Sequence, residues 1–271
     1  MYALEKACGY IENVLEVTSR VRHEHQHDPV PGSTAETERT ETSGRAYQHV
    51  LDAQTVAGLR VAATEDHMSA IATLVAHPTS VFPLRTLART AAELSVRAWW
   101  LLDPACSPQD RAERGLSEAL YSFQEQKQLP GADLHEKAAE RRREIASQAG
   151  SEGLHVSGDN QRPSSTMQLL RETLDDEDLG SIVYRLLSAH VHGTTYALTQ
   201  LVRRETAQPT TVEGLGKVMV GTDAANDAQS ILMAFMPYAR AVRRYFHYNG
   251  YPNKQLTGAL VYATSELRSH M

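Results

Sequence analysis

One short segment of the chain carries the residue types that phosphate chemistry and proton transfer need. Residues 181–200 read SIVYRLLSAHVHGTTYALTQ and contain Arg185, Ser188, His190 and His192. Histidine titrates near neutral pH and can take up or release a proton, and arginine keeps a permanent charge that pairs with phosphate through two hydrogen bonds. These four residues are therefore the candidate site for chemistry in this chain.

The same segment has the spacing of an amphipathic helix. At about 100° per residue, Val183, Leu187 and Val191 fall on one apolar stripe, which we expect to pack on the core. The opposite side carries Arg185, Ser188 and His192. His190 lies about 140° from Arg185, near the edge of the apolar stripe. We expect this helix to continue to about residue 205, and we expect no strand in the chain.

The arginine–histidine spacing resembles a motif of a known superfamily. Four residues separate Arg185 from His190, and six separate it from His192. An arginine followed at such a distance by histidine, late in an all-α domain, resembles the HEPN superfamily (higher eukaryotes and prokaryotes nucleotide-binding). Many of its members are metal-independent ribonucleases of toxin, antiphage or RNA-processing systems. The resemblance implies an all-helical, HEPN-like core.

An earlier helix extends the resemblance. The sequence YRLLSAHVHG is similar to the signature helix of uncharacterised bacterial helical proteins related to that superfamily. In those proteins an earlier helix carries an Arg-x-x-x-Glu step, which Arg89 and Glu93 resemble here. The resemblance covers about residues 45–206 and assigns these two residues a supporting position.

The resemblance implies a role for each candidate residue. Metal-independent RNA cleavage needs a group that takes the 2′-hydroxyl proton, a group that protonates the leaving 5′-oxygen, and a cation for the developing charge. Arg185 would supply the cation, His192 is the first acid–base candidate, His190 is the second, and Ser188 would position a phosphate oxygen. Related nucleases build the cleft from two copies of this helix, which implies a homodimer. Leu186 stands where the nuclease members commonly have a polar residue, so a catalytically altered relative belongs to the same hypothesis.

A non-enzymatic interpretation of the segment stays open. Gly193 after His192 lets two helices approach closely, an imidazole can donate to a neighbouring carbonyl, and Arg185 can pair with Glu93. The chain would then be a helical dimerisation or ligand-binding module.

A third, minor interpretation is a magnesium-dependent prenyl diphosphate enzyme. The acidic residues 175–178, together with Asn226 and Ser230, resemble the metal-binding motifs of class I terpene cyclases. Ala234 stands where the second motif needs a glutamate ligand. Residues 175–178 also suit a helix start, where acidic side chains meet the positive end of the helix dipole.

A second basic cluster lies near the end of the chain. Arg240, Arg243 and Arg244 are followed by aromatic residues, a mixture that suits stacking and pairing with single-stranded RNA. These arginines also suit the C-terminal part of a helix, where cations are favourable.

Helical spacing extends over most of the chain and predicts an all-α bundle of about eight or nine helices. We expect an N-terminal helix in residues 1–27 and a HEPN-like core in residues 45–206. Residues 28–44, which contain proline, glycine and many hydroxyl and acidic residues, are expected to form a flexible linker. Residues 207–271 are expected to form C-terminal helices that pack on the core.

Composition limits the remaining classes. The chain has 271 residues and a formal net charge of −6, which argues against a protein coated in basic residues for non-specific nucleic-acid binding. No run approaches the ~18 apolar residues of a membrane span, and the N-terminus lacks a signal-peptide pattern. The chain has two cysteines, which are too few to form a disulfide framework. We therefore expect a cytoplasmic protein that uses no metal or other cofactor.

Overall fold

The computed structural model describes residues 2–42, 44–76, 82–126, 132–156, 165–194, 198–199, 202–209, 216–220 and 224–269. Its helices are α1 (Tyr2–Glu24), α2 (Thr34–Glu41), α3 (Gly44–Ala76), α4 (Pro83–Leu101), α5 (Pro108–Gln126), α6 (Ala132–Ser151), α7 (Thr166–Leu174), α8 (Glu177–Val191), α9 (Ala224–Asn249) and α10 (Lys254–Arg268). The helical class is confirmed, with ten helices in the described residues instead of the eight or nine predicted.

Three helices form the centre of the fold. α3, α4 and α9 pack against one another, and α9 buries Phe235, Tyr238 and Phe246 completely. α1 packs on α3 and α10, α5 packs on α3 and α6, and α7 and α8 pack on α4 and on each other. One hydrophobic core therefore includes side chains from Leu4 in α1 to Leu267 in α10. The C-terminal helices contribute to that core directly.

Residues 34–41 lie within the segment that we expected to be a flexible linker, and they form α2 instead. The Ser33 side chain caps this helix by accepting a hydrogen bond from the Glu36 amide. Glu38 is only 5% exposed and forms an ion pair with Arg111 of α5. A long-range contact of this kind stabilises a helix that local composition disfavours.

The chain before α2 is fixed to the end of α9. The Val30 amide donates to the Asn249 carbonyl at 2.8 Å. Gly250 has φ +72°, and a Cβ added there would lie 2.9 Å from the Ser33 Cβ. Glycine is therefore required at this position for both backbone conformation and space.

The helix that carries the candidate site is shorter than predicted. α8 ends at Val191, the His192 amide donates to the Ser188 carbonyl, and Gly193 adopts a left-handed conformation with φ +58°. Glycine in this conformation is a common helix stop. The predicted continuation to about residue 205 is therefore wrong.

A β-hairpin follows where the sequence indicated no strand. Strands β1 (Val202–Pro209) and β2 (Gly216–Val220) pair antiparallel, with an irregular register between Arg203 and Gln208. Only Val202 and Thr206 of β1 favour extended backbone, so pairing with β2 rather than local preference accounts for this strand.

Two features at the start of α8 determine which side of the helix faces solvent. The Asp176 side chain caps the helix by accepting a hydrogen bond from the Leu179 amide at 2.8 Å. Gly180 lies against α7 so closely that an added Cβ would be 2.5 Å from the Arg171 nitrogen. Val183 and Leu187 then continue the buried side of α8. This contact sets which residues of α8 face solvent.

Candidate functional site

The solvent-facing side of α8 holds Arg185 and His192, both of which are exposed. Ser188 is half-buried at the edge of this surface, and Val183 and Leu187 are buried on the opposite side. The predicted division of this helix into an apolar stripe and a polar side therefore matches the structure at Val183 and Leu187 but is wrong at Val191, which is 43% exposed at the end of the helix. We call Arg185, Ser188 and His192 the α8 strip.

Arg185 makes no hydrogen bond, ion pair or ring contact with any residue that the structure describes. The pairing with Glu93 considered above does not form, because the Glu93 carboxylate has other partners. It lies 2.9 Å from Arg89 Nη1 and 3.6 Å from Arg97 Nη2, and it accepts a hydrogen bond from the Thr166 hydroxyl. The Arg185 guanidinium is thus available to a ligand.

Arg89 and Glu93 form the i,i+4 pair expected from their spacing. The Arg89 guanidinium also lies over the Tyr184 ring, 4.8 Å from its centroid. A cation over an aromatic ring at this distance is attractive. Arg89 therefore contacts α8 at the residue before Arg185 and helps to hold that helix on α4.

His190 points away from the α8 strip. It is half-buried and lines a pocket of about 90 Å³, together with Arg85, Asn226 and Ser230. Its Nδ1 lies 2.8 Å from the Leu186 carbonyl of the same helix. Burial lowers the pKa of His190, and the nearby charge of Arg85 acts in the same direction. The hydrogen bond with the Leu186 carbonyl opposes this shift.

The three arginines near the chain end separate into two environments. Arg240 and Arg243 are exposed and line a groove of about 600 Å³ between α9 and α10, which Leu174 and Leu179 close at the α7–α8 turn. Arg268 of α10 lines the same groove. No ion pair involves any of these three arginines within the described part of the chain. We call this surface the arginine groove.

Arg244 does not face the arginine groove. Its guanidinium stacks over the Trp99 ring, 3.7 Å from the centroid, and Nη1 donates to the Trp99 carbonyl at 2.8 Å. Burial lowers the pKa of Arg244 to about 10, while the Asp103 carboxylate opposes that shift. The prediction of an RNA-binding role for this residue conflicts with this packing, which ties α9 to the end of α4.

Sequence reasoning missed Arg268. It lies on α10, separated by a turn from the arginines of α9, and only the packing of α9 against α10 brings it to the same groove. No periodicity within one helix could have indicated it.

The groups needed for a diphosphate–magnesium site do not face each other. Asp176 caps the N-terminus of α8, whereas Asn226 and Ser230 line the small pocket beside His190 near its other end. Across the described ranges, no group of three or more histidine, cysteine or acidic side chains is arranged to hold a metal ion. The arrangement that the terpene-cyclase interpretation requires is therefore not formed.

Comparison of the chain with protein-family models, curated proteins and solved structures found no match. Among the helices in the described residues, none has the length and apolarity needed to cross a membrane. The α8 strip and the arginine groove are therefore the features that bear on function.

Proposed function

We propose that this protein is a metal-independent endoribonuclease of the HEPN type, or a catalytically altered relative, that acts as a homodimer through α8. One observation carries the proposal. Arg185 and His192 share the exposed side of α8, and Arg185 is free of any acidic partner in the described residues. A guanidinium without an acidic partner and an accessible imidazole are two of the three groups that phosphodiester cleavage without a metal requires.

Each residue of the α8 strip has a chemical task in this proposal. The Arg185 guanidinium binds a non-bridging phosphate oxygen and stabilises the negative charge that develops there. The His192 imidazole exchanges a proton with the ribose 2′-hydroxyl or the leaving 5′-oxygen. Ser188 donates a hydrogen bond to phosphate. His190 faces the separate small pocket, which favours His192 as the acid–base residue.

A second copy of the chain supplies what one copy lacks. Two proton-transfer groups are needed, and a single α8 strip offers one exposed imidazole. Ile182 and Val191 lie on either side of the strip and are 48% and 43% exposed. Burying them against a partner copy is favourable and would bring two Arg185–His192 pairs together across a two-fold axis.

The arginine groove supports RNA as the substrate. Leu179 of α8 lines that groove, and Arg185 lies six residues further along the helix, about 9 Å at 1.5 Å per residue. Arg240, Arg243 and Arg268 would hold the RNA backbone while the α8 strip acts on it.

The test is cleavage of a labelled single-stranded RNA in the presence of EDTA. We expect the intact protein to cleave it, and we expect Arg185→Ala and His192→Ala each to lower the rate by about 100-fold or more. His247→Ala, at an exposed histidine of α9, is the matched control and should cleave at the original rate. Undiminished cleavage in both α8 variants would contradict the assignment.

A second candidate function is non-enzymatic dimerisation through the same surface. The exposed apolar residues Ile182 and Val191 favour it directly. In that case no RNA is cleaved under any ionic condition, while Ile182→Asp converts the dimer to a monomer in analytical ultracentrifugation. Cleavage that depends on Arg185 rejects this alternative.

A further inference from the structure

A cavity of about 400 Å³ lies where α1, α2, α3 and α9 meet, and no residue of α8 lines it. This volume falls within the range of small-molecule sites in proteins. Its wall contains three basic side chains: Arg22, His27 and Arg39. Arg22 and His27 lie at the end of α1, where the His27 amide donates to the Arg22 carbonyl, and the packing of α2 adds Arg39.

Arg22 has donor capacity that the protein does not use. The residue is 8% exposed, and its Nη2 pairs with Glu65 of α3. Its Nε is buried without a hydrogen-bond partner in the described residues. A buried donor without a partner costs free energy, which a ligand acceptor or a bound water would recover.

Arg39 is half-buried and also keeps free donors. Its Nε donates to Gln54 Oε1 at 2.9 Å, and within the described residues neither terminal nitrogen has a partner. Gln54 in turn donates to the Tyr248 hydroxyl at 2.8 Å, which fixes the amide that orients Arg39. The guanidinium is therefore positioned in advance of any ligand.

Of the acidic residues near this cavity, Glu65 balances the charge of Arg22, whereas no carboxylate of the described residues pairs with Arg39. Glu38 and Glu65 are absent from its lining. The Glu38 carboxylate is occupied by Arg111 and the Tyr248 hydroxyl, and the Glu65 carboxylate by Arg22 and Tyr238. The lining thus presents more positive charge than negative, and an anion is the complementary ligand.

The rest of the wall suits an organic group. The Tyr245 hydroxyl lies close to Gly58, where an added Cβ would be 3.7 Å away, and Leu102 forms a buried apolar surface. Leu59 is 64% exposed and lines the same cavity. The cavity therefore has a basic part for an anionic group and an aromatic and aliphatic part for the body of the ligand.

We propose that this cavity binds a small phosphate-bearing molecule, with the phosphate held by Arg39 and Arg22 and covered by His27. The guanidinium groups donate charge-assisted hydrogen bonds to the phosphate oxygens. Tyr245 and Leu102 contact the organic part. This site is independent of the proposed ribonuclease activity, because it shares no residue with the α8 strip or the arginine groove.

Binding is tested with inorganic pyrophosphate and adenosine 5′-monophosphate, each in a buffer of constant ionic strength, by calorimetry and thermal unfolding. We expect Tm to rise by about 5 °C at a ligand concentration about 100-fold above Kd. Arg39→Gln should weaken binding by about tenfold or more, and Arg39→Lys by less. Stronger binding of the nucleotide than of pyrophosphate would support the role of Tyr245 and Leu102.

A matched variant separates this cavity from the arginine groove. The double variant Arg240→Gln and Arg243→Gln removes charge from the groove and should bind both probes as the original protein does. The proposal is overturned if neither probe binds, if Arg39→Gln binds both probes unchanged, or if the double variant abolishes binding. RNA cleavage is measured in parallel, and we expect Arg39→Gln to leave it unchanged.

Discussion

Arg111 and Arg185 are the same residue type in opposite environments. Arg111 is fully buried, pairs with Glu38 through Nε and Nη2, and donates to the Leu101 and Asp103 carbonyls. Its guanidinium also lies over the Tyr248 ring at 4.6 Å. Arg185 is exposed and has no partner in the described part of the chain.

The difference separates an arginine that the fold uses from one that it leaves exposed. Arg111 has committed its donors to groups within the fold, so its removal would leave a buried carboxylate and carbonyls without partners. Arg185 donates no hydrogen bond to any described residue, so its removal leaves no acceptor among them unpaired. An arginine that the fold does not use is available for a substrate.

The largest expected effect is at the buried arginine. Arg111→Ala leaves Glu38 buried without its cation and should lower the free energy of unfolding by about 3–5 kcal/mol, measured by urea denaturation. Arg141→Ala, which removes an exposed pair with Glu144, is the control and should cost less than about 1 kcal/mol. If Arg111→Ala lowered the free energy of unfolding as little as the control does, the buried and exposed arginines would not differ in their contribution to stability.

The next effect concerns the contact that orients α8. Gly180→Ala places a methyl group against the Arg171 backbone and should cost about 1–3 kcal/mol. Gly258→Ala, in α10, has nothing within 4 Å of the added Cβ and should be neutral or stabilising by up to about 1 kcal/mol. Equal effects at both glycines would mean that α7 and α8 separate easily.

A smaller effect is expected from the pH dependence of stability. Burial raises the pKa of Glu65 to about 7 from its ordinary 4.5, although Arg22 opposes the shift. The folded state then binds more protons than the unfolded state between those two values, so this group's contribution to stability falls as the pH rises. The slope is at most about 1.4 kcal/mol per pH unit.

The comparison variant for this pH effect is Glu65→Gln, which removes the titrating group. Free energies of unfolding of both proteins are measured from pH 5 to pH 8. We expect the advantage of the original protein over the variant to shrink across this range. Parallel curves would show that Glu65 ionises at its ordinary pKa.

The smallest effect on stability is expected at the α8 strip. Arg185→Ala should change the free energy of unfolding by less than about 0.5 kcal/mol, because the side chain is exposed and unpartnered. Its effect on RNA cleavage should nevertheless be large. A substantial loss of stability instead would place Arg185 in the same structural class as Arg111.

Local patterns predicted much of the helical framework. The N-terminal helix expected in residues 1–27 is observed at Tyr2–Glu24. At α5, the Ser107 hydroxyl accepts a hydrogen bond from the Asp110 amide and Pro108 is the first helical residue, an arrangement typical of a helix start. The HEPN-like core remains a prediction.

The remaining features depend on contacts between distant parts of the chain. α2 depends on an ion pair between residues separated by 73 positions, which composition cannot reveal. The groove that contains Arg268 and the cavity that contains Arg39 each need several helices to be packed first. On α8, the exposed side was predicted correctly because one period determines it, whereas the end of the helix depended on the conformation of Gly193.

The attachment of α2 has a consequence for the dynamics of the N-terminal region. Its Glu38 is joined to Arg111 and Tyr248, and the loop before it is hydrogen-bonded to the end of α9. Amide hydrogens of α2 should therefore exchange with deuterium only in openings that also expose the interior of the protein. A protease that cuts flexible connections would accordingly find no early cleavage site in residues 34–41.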